Sequence, residues 1–259
     1  MLLGVNIDHI AVLREARKIN DPNPLDALSV CKFAGADQIT VHLREDRRHM
    51  FDSDIENIIK LSQLPVNLEC SINDEMIDIA CKNKPARVTL VPENREEVTT
   101  EGGLNITSNL SKIQKAITRL HENEIEVSLF IDPKINMVEI SKQIKADWIE
   151  LHTGSFANIY AMLYSGLEKS HHSIKELELT RAELKKRLDH SLDEITISAN
   201  HSKKIGLKVA AGHGLNYQNV SLITAITSIE ELNIGQSIIA RSIYTGLYNA
   251  ITAMKELVK

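Results

Sequence analysis

The amino-acid sequence predicts a closed (β/α)8 barrel with extra helices, laid out as one domain over residues 1–259. Three observations lead there: eight short β-branched runs, helical patterns between them, and a period-two alternation of apolar and polar residues within the runs. The runs cover 2–8, 38–43, 65–70, 87–92, 126–131, 148–153, 207–213 and 232–235. Strands that alternate with helices pair in parallel, because a parallel neighbour is reached only by a crossover long enough to hold a helix. A doubly wound open sheet would share the alternation. Eight strands with no Gly-rich dinucleotide fingerprint after the first favour closure.

The helical segments, at 24–34, 53–64, 74–83, 110–124, 135–144 and 243–258, carry apolar residues at three- and four-residue spacing. The longest interval separates the sixth and seventh runs and reads as an extended helical insertion around 166–204. Its charge-laced stretch 177–188 has the pattern of a solvated extra helix or a subunit contact. After the fourth run, 92–103 is polar, long for a βα loop and closed by Gly102-Gly103; it reads as a surface loop or as a lid over the barrel mouth.

Alternation also divides the strands by face. Val5 and Ile7, Ile39, Val41 and Leu43, Val66 and Leu68, Val127 and Leu129, and Ile149 and Leu151 form apolar outer faces that meet the helices. Their alternates are Asn6 and Asp8, Thr40, His42 and Arg44, Asn67 and Glu69, Ser128, and Glu150 and His152. Unpaired burial would cost several kcal/mol for each charge, so these groups must form a network or face a wet cavity. Parallel barrels carry their active sites at the C-terminal ends of the strands, where the most polar of these residues fall.

Composition narrows the class. With 43% apolar and 25% charged residues the chain can build a sizeable ordered core. A net charge of −5, and a basic run no longer than Lys185-Lys186-Arg187, argue against nucleic acid as a partner. Cys31, Cys70 and Cys81 form no CxxC motif or disulfide framework, which suits a reducing cytoplasm. The first residues lack a signal-peptide pattern, and no apolar run approaches the ~18 residues of a membrane span.

His42 and Glu69 end adjacent strands, which places an imidazole and a carboxyl over the same lumen; Glu150 and His213 extend the set. Histidine titrates near neutrality and burial raises a carboxyl toward it, so the combination can move protons at physiological pH. Ala211-Gly212-His213-Gly214-Leu215 and Asn233-Ile234-Gly235-Gln236-Ser237 bring glycines to the ends of the seventh and eighth strands, ahead of an apolar helical stretch. That is the position of the barrel phosphate site, built from backbone N–H groups and a helix N-terminus. Arg17, Arg44, Arg47, Arg48 and His49 supply cations, with Arg44 on the inward parity of His42. Metal chemistry competes through His9, His42, His152 and His213, but neither HxH on the first strand nor HExxH is present. No lysine stands at a strand end to form a Schiff base; Lys208 opens the seventh strand, at the opposite face. A non-enzymatic phosphosugar sensor would need only the anion-binding loops.

The motifs Gly4-Val5-Asn6-Ile7-Asp8-His9, Thr40-Val41-His42-Leu43-Arg44-Glu45-Asp46-Arg47-Arg48-His49, Leu90-Val91-Pro92-Glu93, Val98-Thr99-Thr100-Glu101-Gly102-Gly103, Ile149-Glu150-Leu151-His152-Thr153-Gly154, Gly212-His213-Gly214-Leu215 and Leu232-Asn233-Ile234-Gly235 together resemble the pyridoxine 5′-phosphate synthase family. The likeness runs from residue 2 to about 165 and resumes near 205. It implies a cytoplasmic homo-octamer built from dimers that condenses 3-amino-2-oxopropyl phosphate with 1-deoxy-D-xylulose 5-phosphate, without a metal or organic cofactor. Carried onto matching positions, it makes His42 and Glu69 proton acceptors, His213 the proton donor and Glu150 a transition-state stabiliser. Asn6, Arg17, Gly214, Gly235 and Gln236 would hold the aminoketone phosphate, and Asp8, His9, Arg44, His49 and Thr99 the pentulose phosphate. This chain departs from the family pattern at Gln236, where histidine is expected, at Ala210, where asparagine is expected, and in the longer 166–204 segment.

Overall fold

A computed structural model describes residues 1–92 and 102–259. In chain order its elements are β1 (Leu2–Asn6), α1 (Asp8–Glu15), α2 (Ala27–Phe33), β2 (Gln38–Leu43), α3 (Asp52–Leu61), β3 (Val66–Cys70), α4 (Asp74–Asn83), β4 (Arg87–Leu90), α5 (Leu110–Glu122), β5 (Glu126–Ile131), α6 (Ile135–Gln143), β6 (Trp148–His152), α7 (Gly154–Tyr164), α8 (Arg181–Lys204), β7 (Lys208–Gly212), α9 (Val220–Thr224), β8 (Glu231–Ile234), α10 (Gln236–Thr245) and α11 (Leu247–Leu257). The eight strands close in sequence order, every neighbour parallel, with β8 returning to β1. The predicted barrel is therefore the observed fold.

The apolar outer faces are fully buried against the helical layer: Val5, Ile39, Val41, Leu68, Val127, Leu129, Ile149 and Leu151 are all inaccessible to solvent. At ~25 cal/mol per Å² of apolar surface removed from water, this ring between sheet and helices is the main favourable contribution to folding. The lumen is polar, and much of it is linked by hydrogen bonds, while Asn67 Nδ2, Arg87 Nε and Ser128 Oγ are buried without a partner among the described residues. Near the bottom, Arg87 Nη2 donates to Glu231 Oε1 at 2.5 Å and to Gln38 Oε1 at 2.6 Å. The Arg87 guanidinium also lies 4.2 Å from the Trp148 ring centroid. One layer higher, Thr40 Oγ1 donates to Asn233 Oδ1 at 2.9 Å, and Asn233 Nδ2 donates to Glu150 Oε2 at 2.8 Å. Gly4 leaves room for this layer, since a Cβ there would come within 2.1 Å of Asn233 Oδ1.

Local differences from the sequence reading have physical causes. β1 stops at Asn6, and Asp8 opens α1, where a carboxylate stabilises the positive end of the helix dipole. The 243–258 pattern is two helices broken at Gly246, whose φ of 78° suits glycine alone among the common residues. Of the 177–188 stretch, residues from Arg181 onward form the start of a longer helix. Thr180 caps α8 by accepting from the Glu183 N–H while the Glu183 carboxylate accepts from the Thr180 N–H, and the helix runs on to Lys204. Leu184, Leu188, Ile195 and Ala199 bury one face of α8, which packs on α6 and α7 as part of the barrel's outer layer. Among the described residues no helix is long and apolar enough to cross a membrane.

Candidate active site

The C-terminal strand ends enclose a cavity of about 440 Å³. Of the residues singled out from the sequence, Asn6, Asp8, His9, His42, Arg44, His49, Glu69, Glu150, His213, Gly214, Gly235 and Gln236 all line it. Arg17 does not; it is exposed, beyond the C-terminal end of α1. Thr99 lies outside the described residues, as does most of the 92–103 stretch.

Each wall is held by backbone-level contacts. Asn6 Oδ1 accepts from the Asp8 N–H at 2.9 Å, which shapes the step from β1 into α1, and Asp8 Oδ1 accepts from the His42 N–H at 2.9 Å, which ties that step to β2. The loop bearing Arg44 and His49 is anchored from below. Arg14 on α1 makes a two-pronged ion pair with Asp54 at 2.8 and 2.9 Å and donates to the His49 carbonyl at 2.8 Å. On the far wall, Thr153 Oγ1 bonds the carbonyls of Gly212 and His213 at 2.7 and 2.6 Å, clamping His213 at a φ of 82°. A backbone held there against its preference is a common mark of a functional position.

The register of β2 and β3 sets His42 directly opposite Glu69. Desolvation, with Arg44 next, lowers the His42 pKa to about 3, so the ring is a neutral acceptor. Desolvation raises Glu69 well above the ordinary carboxyl value, reinforced by the charges of Glu150 and Asp8, which favours its protonated form. Glu150 is raised to about 7, by desolvation first and the Glu231 charge second, against the opposing pull of Arg87 and the Asn233 hydrogen bond. The His213 ring opens onto the cavity, yet the walls crowd it enough that desolvation, helped by His152, lowers its pKa to about 4. Four groups in one cavity are thus displaced toward their neutral forms. Such a cluster has the equipment to move protons, which makes the cavity a candidate acid/base site.

These opposed shifts carry a stability signature. A carboxyl with a raised folded pKa contributes stability that is lost as pH rises from its unfolded value through the folded one, here from about 4.5 to about 7 for Glu150. A histidine with a lowered folded pKa acts oppositely, gaining stability from about 4 up to about 6.5 for His213. Glu150→Gln removes one falling contribution and leaves the rising ones. Its stability relative to the parent therefore increases between pH 4.5 and 7, as urea unfolding at several pH values would show; a constant difference would mean Glu150 titrates normally.

At the opposite rim Gly235 precedes α10, and Gln236 is the first residue of that helix. The Gly235 position is tight, since a Cβ would lie 2.9 Å from Asn6 Cβ. The backbone N–H groups of Gln236 and Ser237 head the helix without an intrahelical acceptor, the arrangement that binds anions. Sequence reasoning passed over Asn233, which reaches Glu150, and Phe130, Met50 and Asn216, which also line the cavity. Asn233 had a signal in its inward parity two residues before Gly235; the loop residues Met50 and Asn216 had none. Among the described residues no group of three or more His, Cys, Asp or Glu side chains is arranged to hold a metal ion.

Comparison with solved structures gives the fold and no more. A phosphoribosyl anthranilate isomerase from Thermococcus kodakaraensis superposes with a TM-score of 0.58 at 13% identity, covering 100% of this chain and 98% of that one. A 4-hydroxy-2-oxoglutarate aldolase/2-deydro-3-deoxyphosphogluconate aldolase from TTHB1 gives 0.61 at 9% identity, covering 100% and 94%. Sequence comparison goes further. The pyridoxine 5′-phosphate synthase of Aliarcobacter butzleri (strain RM4018) is 71% identical over 100% of this chain and 99% of its own length. That of Sulfurovum sp. (strain NBC37-1) is 65% identical over 99% and 100%. The profile of the pyridoxal phosphate biosynthesis protein PdxJ matches residues 3–259, and the chain belongs to that family.

Proposed function

We propose that this chain is a pyridoxine 5′-phosphate synthase that condenses 3-amino-2-oxopropyl phosphate with 1-deoxy-D-xylulose 5-phosphate, releasing pyridoxine 5′-phosphate, inorganic phosphate and water. The observation that carries the reading is the meeting, in one cavity, of two imidazoles with lowered pKa values and two carboxyls with raised ones, beside a helix N-terminus suited to an anion. Ring closure from two phosphorylated ketones needs repeated proton transfers, and positioned acid/base groups contribute about 10² to 10⁴-fold each.

In this reading His42 and Glu69 accept protons, His213 donates one and Glu150 stabilises the charge that develops between them. A cationic amine brought beside Glu69 lowers its pKa and frees the carboxylate to act as acceptor. A phosphate dianion beside His213 raises that pKa, so the donor is loaded only when substrate is in place. Asn6, Gly214, Gly235 and Gln236 hold the aminoketone phosphate; Asp8, His9, Arg44, His49 and Thr99 hold the pentulose phosphate. Gln236 departs from the family histidine but heads α10, where its backbone N–H serves whatever its side chain. The imine nitrogen comes from the substrate, which accords with the place of Lys208 at the bottom of the barrel, bonded to Glu126 at 2.8 Å. Assembly as a cytoplasmic octamer built from dimers completes the proposal.

The purified protein is expected to form pyridoxine 5′-phosphate and release phosphate only when both substrates are supplied, with chelator leaving turnover unchanged. Tight binding of either phosphosugar without product would replace the synthase by a sensor. Activity abolished by chelator would replace acid/base catalysis by metal chemistry.

A further inference from the structure

His152 ends β6 two residues after Glu150, and its ring lies in the cavity wall between Phe130 and His213. The His152 and His213 centroids are 5.0 Å apart with the rings inclined at 65°, an edge-to-face packing. Behind it, His152 Nδ1 faces Asp132 Oδ1 at 3.5 Å, the outer edge of hydrogen-bond reach. The Asp132 carboxylate is itself fixed by the Gly103 N–H at 2.9 Å. It is held below the usual aspartate range chiefly by His152, so it is charged at neutral pH. On the other side of the ring, Nε2 is buried with no hydrogen-bond partner among the described residues. Gly154 makes the space it occupies, because a Cβ there would stand 2.5 Å from His152 Nε2 and 3.1 Å from His213 Cδ2.

We propose that Asp132 and His152 form a positioning dyad for His213, Asp132 fixing the proton of His152 on Nδ1 and His152 in turn orienting the His213 imidazole against the substrate. The proposal rests on the reading of His213 as proton donor given above. A charged acceptor at Nδ1 selects the tautomer whose Nε2 bears a lone pair, so the face presented to the cavity is an acceptor. Phe130 supports the same rings with apolar contact, at 5.0 Å from His152 and 6.3 Å from His213. The titratable neighbours of His213 are then His152 from β6, Asp132 behind it after β5, and Glu150, whose Oε1 lies against Gly212. Asp8, His9, His42 and Glu69 face it across the cavity from the β1 to β3 side.

The test uses His152→Phe, which keeps an aromatic ring between Phe130 and His213 but removes both nitrogens, and Asp132→Asn, which removes the carboxylate charge. The His213 imidazole is followed by nitrogen-detected NMR titration without substrate, and kcat and KM are measured across pH with both substrates. With His152 neutral in the dyad, the His213 midpoint is expected to move down in His152→Phe, since the Nε2 lone pair, which favours a protonated His213 beside it, is gone. In both variants kcat falls by at least about tenfold, a fraction of what a positioned acid or base contributes, while KM changes by less than about threefold. An unmoved His213 midpoint together with a pH profile superimposable on the parent would overturn the dyad. Because the titration needs no turnover, it judges the dyad separately from His213→Asn, whose unimpaired activity would overturn the donor role alone.

Discussion

Glu69→Gln lowers kcat by about 10² to 10⁴-fold, the contribution expected of a positioned acid/base group, and leaves the midpoint of thermal unfolding near that of the parent. The dissociation of activity from stability follows from the environment of the side chain. Burial and the charges of Glu150 and Asp8 raise the Glu69 pKa and favour its protonated form, and a protonated carboxyl is matched in size and polarity by an amide. The fold therefore loses little. A raised folded pKa also means that ionising Glu69 costs stability as pH rises, so the glutamine variant gains on the parent under alkaline conditions. What the amide cannot do is give up and retake a proton opposite His42. Kinetics with both substrates and thermal melts at pH 6 and 9 settle the matter. Equal loss of folding and turnover would make Glu69 a structural residue, and activity within about threefold of the parent would remove it from the proton path.

The parts of this architecture that obey a short repeat were legible in the sequence. Period-two alternation put Glu150 and His42 in the lumen and Ile149 and Val41 outside it, because a strand has only two faces and the helices demand an apolar one. The cavity lining followed, since polar residues concentrate where parallel strands end. Element boundaries were less legible. Asp8 continues the alternation of β1 and also suits the first turn of a helix; the Asn6 side chain, by accepting the Asp8 N–H, decides for the helix. The pattern at 243–258 stays in helical phase across Gly246, so only backbone geometry reveals the break. Arg17 illustrates the other limit. Its place soon after the first strand suggested the site, but it stands exposed past the C-terminal end of α1 and outside the cavity lining. Arg14, one helical turn earlier, turns inward and anchors the His49 loop, a role that depends on the distant Asp54.

The buried charge at the start of β4, Arg87, governs the second large effect. Arg87→Met destabilises the protein by about 3 to 5 kcal/mol, the usual result of removing one partner from a buried ion pair. Arg87 and Glu231 are each only 3% exposed, and the guanidinium is the charged partner of the Glu231 carboxylate at 2.5 Å. Without it, Glu231 keeps only the amide donors of Gln38 at 3.1 Å and Asn233 at 3.3 Å, so it must take up a proton or remain a buried anion. Arg87→Met with Glu231→Gln replaces the pair by neutral groups of similar volume and recovers most of the loss, since what destabilises the single variant is the stranded charge rather than the missing contact. The same substitutions act on the site above. Arg87 opposes the rise of the Glu150 pKa and Glu231 promotes it, so the single variant shifts the Glu150 titration upward and the double variant shifts it back. Urea unfolding of parent, single and double variants measures the first effect, and the pH dependence of kcat measures the second. A cost below about 1 kcal/mol for Arg87→Met would place the pair in the range of solvated surface bridges, and the reading of Arg87 and Glu231 as a desolvated ion pair would have to be abandoned.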